Sequence, residues 1–296
     1  MKYVTIRSVN DTRNTRLYRL GEKYDRYSQE IRLIDSKELI TISAVNEFIS
    51  TTKEQIAFLE RLLERIFVSK YHDNFFLKGG FLLAAMVGLD TRATMDMDAA
   101  IKGLPVTKET ISRMFGEFCK IHIDDDINFE FSGIADIRED DEYGGYRVSL
   151  SGNYPPMAVP LKIDITTGDK TTPREMMYSF NLMFEERSIN VLAYTVETIL
   201  AEKLETIISR GDQNTRPRDF YDVYILNTLQ KQNIDNKILK DAFAATVKKR
   251  GAEHIVSNYK EIIKTVASST VMNNQWTGYQ KNLIMQRILT LKISVS

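Results

Sequence analysis

The stretch Leu77-Lys78-Gly79-Gly80, followed by Thr94-Met95-Asp96-Met97-Asp98, decides how this chain is read. It predicts a strand end, a glycine turn opening a short helix, and a strand carrying two aspartates. Side chains alternate faces along a strand, so Asp96 and Asp98 are expected on one face and Met95, Met97 and Ala99 in the core. Two neighbouring carboxylates repel unless a cation lies between them. Hard divalent cations, Mg²⁺ above all, take carboxylate oxygens and bridge them to phosphates. A glycine turn lets backbone N–H groups approach a phosphate with no Cβ in the way. These parts together suggest a site for a nucleoside triphosphate and a metal. The competing reading places both aspartates on the solvent face of an edge strand.

Working outward, Val159 to Thr166 alternates cleanly. Leu161, Ile163 and Ile165 share one face, and Lys162, Asp164 and Thr166 the other. An acidic residue in an apolar strand is costly to bury without a partner. If this strand lies beside the first, Asp96, Asp98 and Asp164 converge as the ligands of a two-metal nucleotidyl-transfer site. Asp96 and Asp98 would then hold both ions. Asp164 would help hold the ion that activates the attacking hydroxyl.

The N-terminal flank predicts a helix from Val45 to Tyr71, with Val45, Ile49, Ile56, Leu59, Leu63 and Ile66 forming one apolar stripe. A less regular helix is expected within Leu17 to Ile34. Thr107 to Lys120 reads as a helix capped by Thr107. Further strands are expected at Ile127–Phe131, Tyr146–Ser151 and Ser188–Ala193, the first two joined by the exposed stretch Glu139 to Gly145. Asp124-Asp125-Asp126 reads as a loop at a helix end rather than a metal site. After Tyr194 the pattern turns helical: Thr195–Arg210, Arg218–Leu229, Asp235–Lys249, Asn258–Ser269 and Trp276–Leu291. The fold class is therefore α+β, a mixed sheet followed by a helical C-terminal domain. Residues 1–194 would form the core, and residues 195–296 a helical part that contributes to the same site.

Two further groups bear chemistry. Lys203 sits at the edge of the apolar stripe Val196, Ile199, Leu200, Leu204, Ile207, Ile208, with Arg210 two turns on. A lysine there snorkels to water or turns into a polar pocket, where it could meet a triphosphate. In Arg216-Pro217-Arg218-Asp219-Phe220-Tyr221-Asp222, proline suits the first turn of a helix. Arg218 and Asp222 are i,i+4 neighbours there. They make either a surface pair worth a fraction of a kcal/mol or a group in which Asp222 orients a basic residue of the site and Asp219 ties the helix to the sheet.

Composition bounds the function. The chain has 296 residues, 40 basic and 40 acidic, for a formal net charge of zero, which argues against broad electrostatic capture of nucleic acid. Its single cysteine, Cys119, excludes an internal disulfide and fits a reducing compartment. His72, His122 and His254 have no zinc-ligand spacing. The longest apolar stretch, Phe81 to Leu89, is too short to span a bilayer. No membrane association is expected, and a cytoplasmic location is.

Leu77-Lys78-Gly79-Gly80, Arg92-x-Thr94-x-Asp96-x-Asp98, Lys162-x-Asp164, Ala201-Glu202-Lys203-Leu204-Glu205 and Arg216-Pro217-Arg218-Asp219-x-x-Asp222 occur in this order over residues 77 to 222. As an ordered set they resemble the AbiEii/AbiGii nucleotidyltransferase-like toxins of bacterial toxin–antitoxin (abortive infection) systems linked to phage defence. The resemblance implies a polymerase-β-like core with a helical C-terminal domain. It also implies an NTP donor, GTP by analogy, together with Mg²⁺ and a cognate antitoxin. Related MenT-type toxins modify the tRNA 3′ end, so RNA (tRNA) is the implied acceptor. Carried over by motif, Asp96, Asp98 and Asp164 bind metal. Lys78, Gly79, Gly80, Thr94, Lys203, Arg218 and Asp219 bind the NTP, joined by Arg210, which stands outside these motifs and is added for its place two turns beyond Lys203 on the same side of the helix. Asp96, Asp98, Asp164, Lys203 and Asp222 are the catalytic set. One departure is Gly80, where polymerase-β-like enzymes more often carry serine and a shorter spacing to the aspartates. A non-catalytic NTP-binding module, or transfer to a protein or small molecule, are the alternative readings.

Overall fold

The computed structural model describes residues 3–7, 16–19, 40–88, 91–92, 94–137, 144–167, 173–182 and 185–280. Two compact units emerge, one formed by Met1–Glu54 with Gln280–Ser296, the other by Gln55–Tyr279. In the first, β1 (Tyr3–Arg7) pairs antiparallel with β2 (Arg16–Arg19) and parallel with β3 (Ile40–Thr41). The helix expected within Leu17 to Ile34 therefore begins as strand, and its remainder lies outside the described residues.

The larger unit is built on a seven-stranded mixed sheet, in the order β6-β7-β8-β5-β4-β10-β9. Its strands are β4 (Phe75–Lys78), β5 (Met97–Ile101), β6 (Asn128–Ile137), β7 (Gly145–Tyr154), β8 (Met157–Thr167), β9 (Met176–Asn181) and β10 (Ser188–Ala193). Parallel pairs join β5 to β8 and β10 to β4, and the remaining neighbours are antiparallel. The sequence gives little sign of β9: Met176-Met177-Tyr178 shows no apolar–polar alternation, and Met177 is largely exposed at the sheet edge. Most of the acidic stretch Glu139 to Gly145 lies outside the described residues, but the antiparallel pairing of β6 and β7 is as expected.

Helix α1 (Ile42–Val68) packs its stripe into the core, with Ile56, Leu59, Leu63 and Ile66 essentially inaccessible; the side chains of Val45 and Ile49 lie outside the described part. Arg65, on this helix, is also buried. It grips Asp125 through both oxygens at 2.7 Å and donates to the Ile121 and Ile127 carbonyls. That pairing explains the Asp124-Asp125-Asp126 run as a loop brace. Helix α2 (Gly79–Val87) buries Phe81, Leu82, Leu83 and Ala84, and α3 (Lys108–Phe118) is capped by Thr107, which accepts from the Thr110 N–H. After β10 come α4 (Val196–Arg210), α5 (Pro217–Leu229), α6 (Asn236–Lys249), α7 (Glu253–Val256) and α8 (Tyr259–Ser268), with residues 270–280 helical again. Among the described residues no helix is long and apolar enough to cross a membrane.

Candidate active site

The alternation in β5 and β8 places their apolar faces in the core, with Met97, Ala99, Ile163 and Ile165 all fully buried. The opposite face carries the chemistry. Strand register sets Arg147 of β7 opposite Asp164 of β8, Asp164 opposite Asp98 of β5, and Asp98 opposite Lys78 of β4. Residues in register on adjacent strands share a face, so four charged side chains form one row, cation–anion–anion–cation, across the sheet. Asp98 and Asp164 are thus brought side by side, as their patterns required.

The glycine turn is fitted to Asp98. Gly79 has φ +61°, and a Cβ there would lie 2.3 Å from Asp98 Oδ2, an overlap no side chain could accept. The Gly80 N–H donates to the same oxygen at 2.9 Å. The turn is expected to cradle phosphate; in the structure it holds a carboxylate. Burial pushes the Asp98 carboxyl above its ordinary range, and neighbouring Asp164 adds to the rise. The Gly80 hydrogen bond and the charges of Lys78 and Lys203 oppose it without cancelling it.

Asp96 departs from the expectation. The strand begins at Met97, so Asp96 and Met95 lie in an exposed bend just before it, and Met95 is 42% exposed rather than in the core. Thr94 tightens this bend, its hydroxyl donating to the Asp96 carbonyl at 3.3 Å. Asp164 differs too: both its oxygens are taken by the Arg147 guanidinium, at 2.7 and 2.8 Å. Among the described residues no group of three or more potential metal ligands is gathered. What the structure offers a hard cation is all-oxygen: an exposed Asp96, a desolvated Asp98 lacking full compensation, and Asp164 behind its arginine. That donor set fits Mg²⁺ in chemistry.

A second cluster lies between the sheet unit's glycine region and the helices. Lys203 does not snorkel. Its ammonium is 2.9 Å from Asp219 Oδ1 and 2.6 Å from Asp222 Oδ2, the latter an ion pair off the ideal hydrogen-bond direction. Asp222 is fully buried, and its other oxygen accepts from Arg92 Nε at 2.8 Å. Asp222 therefore orients basic residues, whereas Asp219 ties α5 to Lys203 on α4 rather than to the sheet. Arg92 would also lie within 3.3 Å of a Cβ at Gly80, as would the Thr94 hydroxyl at 3.2 Å, which links this cluster to the glycine turn. Arg218 is exposed and Arg210 half-buried. Of the two readings of Arg218 and Asp222, the surface pair gives way to the buried pairing of Asp222 with Arg92 and Lys203.

A family model described as nucleotidyl transferase AbiEii toxin, Type IV TA system, matches residues 61–291. The chain belongs to the AbiEii nucleotidyl transferase toxin family. The match spans the sheet, the glycine turn, both charged clusters and the helices after β10. Among solved structures, JHP933 from Helicobacter pylori is similar at 15% identity, covering 84% of this chain and 94% of that one, with a TM-score of 0.43. An antigenic nucleotidyltransferase-like protein from Paracoccidioides brasiliensis is similar at 15% identity, covering 71% and 94%, with a TM-score of 0.38. No curated protein matches the sequence.

Two charged residues of these clusters are not marked by local sequence pattern. Arg147 sits on the polar side of an ordinary alternating strand, Tyr146 to Ser151, and only the register with β8 reveals its partner. Arg92 stands in the sequence only as one position of a motif, and its partner is Asp222, 130 residues away.

Proposed function

We propose that the chain is the toxin enzyme of a toxin–antitoxin pair, an Mg²⁺-dependent nucleotidyltransferase. It would move a nucleotide from an NTP to an acceptor, the 3′ end of a tRNA, and act in phage defence. The observation that carries this reading is the Asp98–Asp164 pair in register beside the Gly79-Gly80 turn, within a chain of the AbiEii family. Asp96 and Asp98 would hold Mg²⁺, with Asp164 as the third acidic position; the ion would neutralise phosphate charge and lower the pKa of the attacking hydroxyl.

The chain's own residues do the rest. Lys78 and the glycine turn flank the carboxylates where phosphate oxygens would lie. Lys203, a flexible point charge, is pre-positioned by Asp219 and Asp222 and can offer a further N–H to a phosphate. Arg92 locks Asp222 and so the lysine's direction. Asp164, freed from its guanidinium, would accept the hydroxyl proton. Thr94 and Arg218 are assigned to the NTP from their motif positions, and Arg210 from its place two turns beyond Lys203 on α4. GTP is the donor favoured by family analogy, and the cognate antitoxin neutralises or represses the enzyme in the cytoplasm.

The test is incubation of the purified protein and Asp96→Ala with total bacterial RNA, Mg²⁺ and each labelled NTP. Label on a tRNA-sized band from one NTP, absent with the variant, is expected. Label on a protein or small molecule would redirect the acceptor. NTP binding with no transfer to any acceptor would favour the non-catalytic module.

A further inference from the structure

We propose that Arg147 is a resident counter-cation of the carboxylate site, competing with a divalent ion for Asp164 and so setting how tightly the protein loads metal. The inference rests on the metal-dependent reading above.

Three observations carry it. First, Arg147 spends two N–H groups, Nε and Nη2, on the two Asp164 oxygens at 2.7 and 2.8 Å, the fork geometry that matches a carboxylate edge to edge. An ion ligated by Asp164 must share or displace that fork. Second, the pair is fixed by strand register rather than by a loop. β7 and β8 are paired continuously from Gly145↔Thr166 to Tyr154↔Met157, with Arg147↔Asp164 inside the ladder. The arginine therefore cannot drift away while the sheet is intact, but its side chain can swing. Arg147 is 40% exposed and Asp164 21%, so opening the fork uncovers no core. Third, the charge of Arg147 reaches all three acidic positions, because Asp96 and Asp98 act on it as well as Asp164. The cation at the other end of the row behaves differently: the Lys78 ammonium lies over the Tyr194 ring, 5.6 Å from its centroid. One flanking cation is drawn onto an aromatic face, and the other closes on Asp164.

A bound divalent ion brings two charges to oxygens that one guanidinium now holds. Removing the guanidinium leaves Asp164 without that partner beside Asp98, which keeps the Gly80 N–H and the charges of Lys78 and Lys203; the loss weakens the metal-free protein and strengthens its demand for a cation. The test is a Mn²⁺ titration of the full chain followed by electron paramagnetic resonance, with melting temperatures recorded with and without Mn²⁺. Arg147→Ala is expected to bind Mn²⁺ about tenfold more tightly than wild type, a coupling of ordinary size between adjacent sites, and to gain more in Tm on Mn²⁺ addition. Arg147→Lys, which keeps the charge but loses the fork, should fall between them, and it carries the test if the alanine variant fails to fold. Lys162→Ala removes the same charge two residues along the same face of β8 and should shift affinity much less. Equal or weaker Mn²⁺ binding by both Arg147 variants, with wild type binding normally, overturns the inference and leaves the metal-dependent reading intact. An equal gain in Lys162→Ala overturns it too, since the effect would then be general charge. Absence of Mn²⁺ binding in every protein, with and without NTP, overturns both.

Discussion

The row Arg147–Asp164–Asp98–Lys78 and the cluster Arg92–Asp222–Lys203–Asp219 contain the same charges, two basic and two acidic, yet they are built for different work. In the cluster every carboxylate is buried and answered: Asp222 is inaccessible and contacts Arg92 and Lys203, and Asp219 contacts Lys203. Buried ion pairs gain little net stability but fix geometry, and breaking one is expensive. In the row the charges are only partly covered and unevenly matched. Asp98 is desolvated with its carboxyl held above the ordinary range, Asp164 leans on a half-exposed arginine, and Lys78 rests on a tyrosine. A balanced cluster holds its shape without a ligand, while an unbalanced row gains from one.

Substitutions can separate these two roles. The largest effect is expected at Asp98: Asp98→Ala should lower nucleotide transfer by about a thousandfold or more, equivalent to roughly 4 kcal/mol of transition-state stabilisation, while Tm changes by only a few degrees. A folded, active Asp98→Ala protein would break the contrast. Next comes Asp222→Ala, which strips a buried partner from Arg92 and Lys203; denaturant unfolding should show a loss of about 3 kcal/mol. If stability were unchanged and only activity fell, the cluster would belong with the row. Gly79→Ala forces a Cβ into Asp98 at a positive φ and should cost about 2 kcal/mol, with a fall in metal-dependent activity as the carboxylate is pushed aside. The smallest effect lies remote from both. Glu64 pairs with Arg187, whose hydrogen bond holds its carboxyl below the usual 4.5. For a lowered carboxyl the stabilisation is present above the unfolded value and lost as pH falls through the folded one. Glu64→Gln should therefore cost less than about 1 kcal/mol at pH 7, and in acid unfolding the difference from wild type should begin to shrink below pH 4.5 and vanish once the pH has fallen through the lowered folded value.

The legible part of this protein was the part written in local pattern. Alternation in Leu161-Lys162-Ile163-Asp164-Ile165 placed its carboxylate away from the core, and the apolar stripe of α1 marked the helix that covers the sheet. The Gly-Gly turn announced a close approach, although its nearest neighbour proved to be Asp98. What misled was the extension of the strand pattern to Met95 and Asp96, since alternation governs only residues inside the ladder and β5 starts at Met97. β9 was illegible because an edge strand with exposed methionines carries no clean period.

Sequence alone determined the α+β class, the family motifs and the polar strand faces that carry Asp98 and Asp164, because period-two and helical patterns report directly which faces meet water. Only the tertiary structure decided who answers each charge. Arg147 meets Asp164 through the register of a hairpin, and Arg92 meets Asp222 across 130 residues. The physical reason is that an ion pair depends on the distance between side chains. Strand register and helix packing set that distance, and neither can be read from a residue's immediate neighbours in the chain.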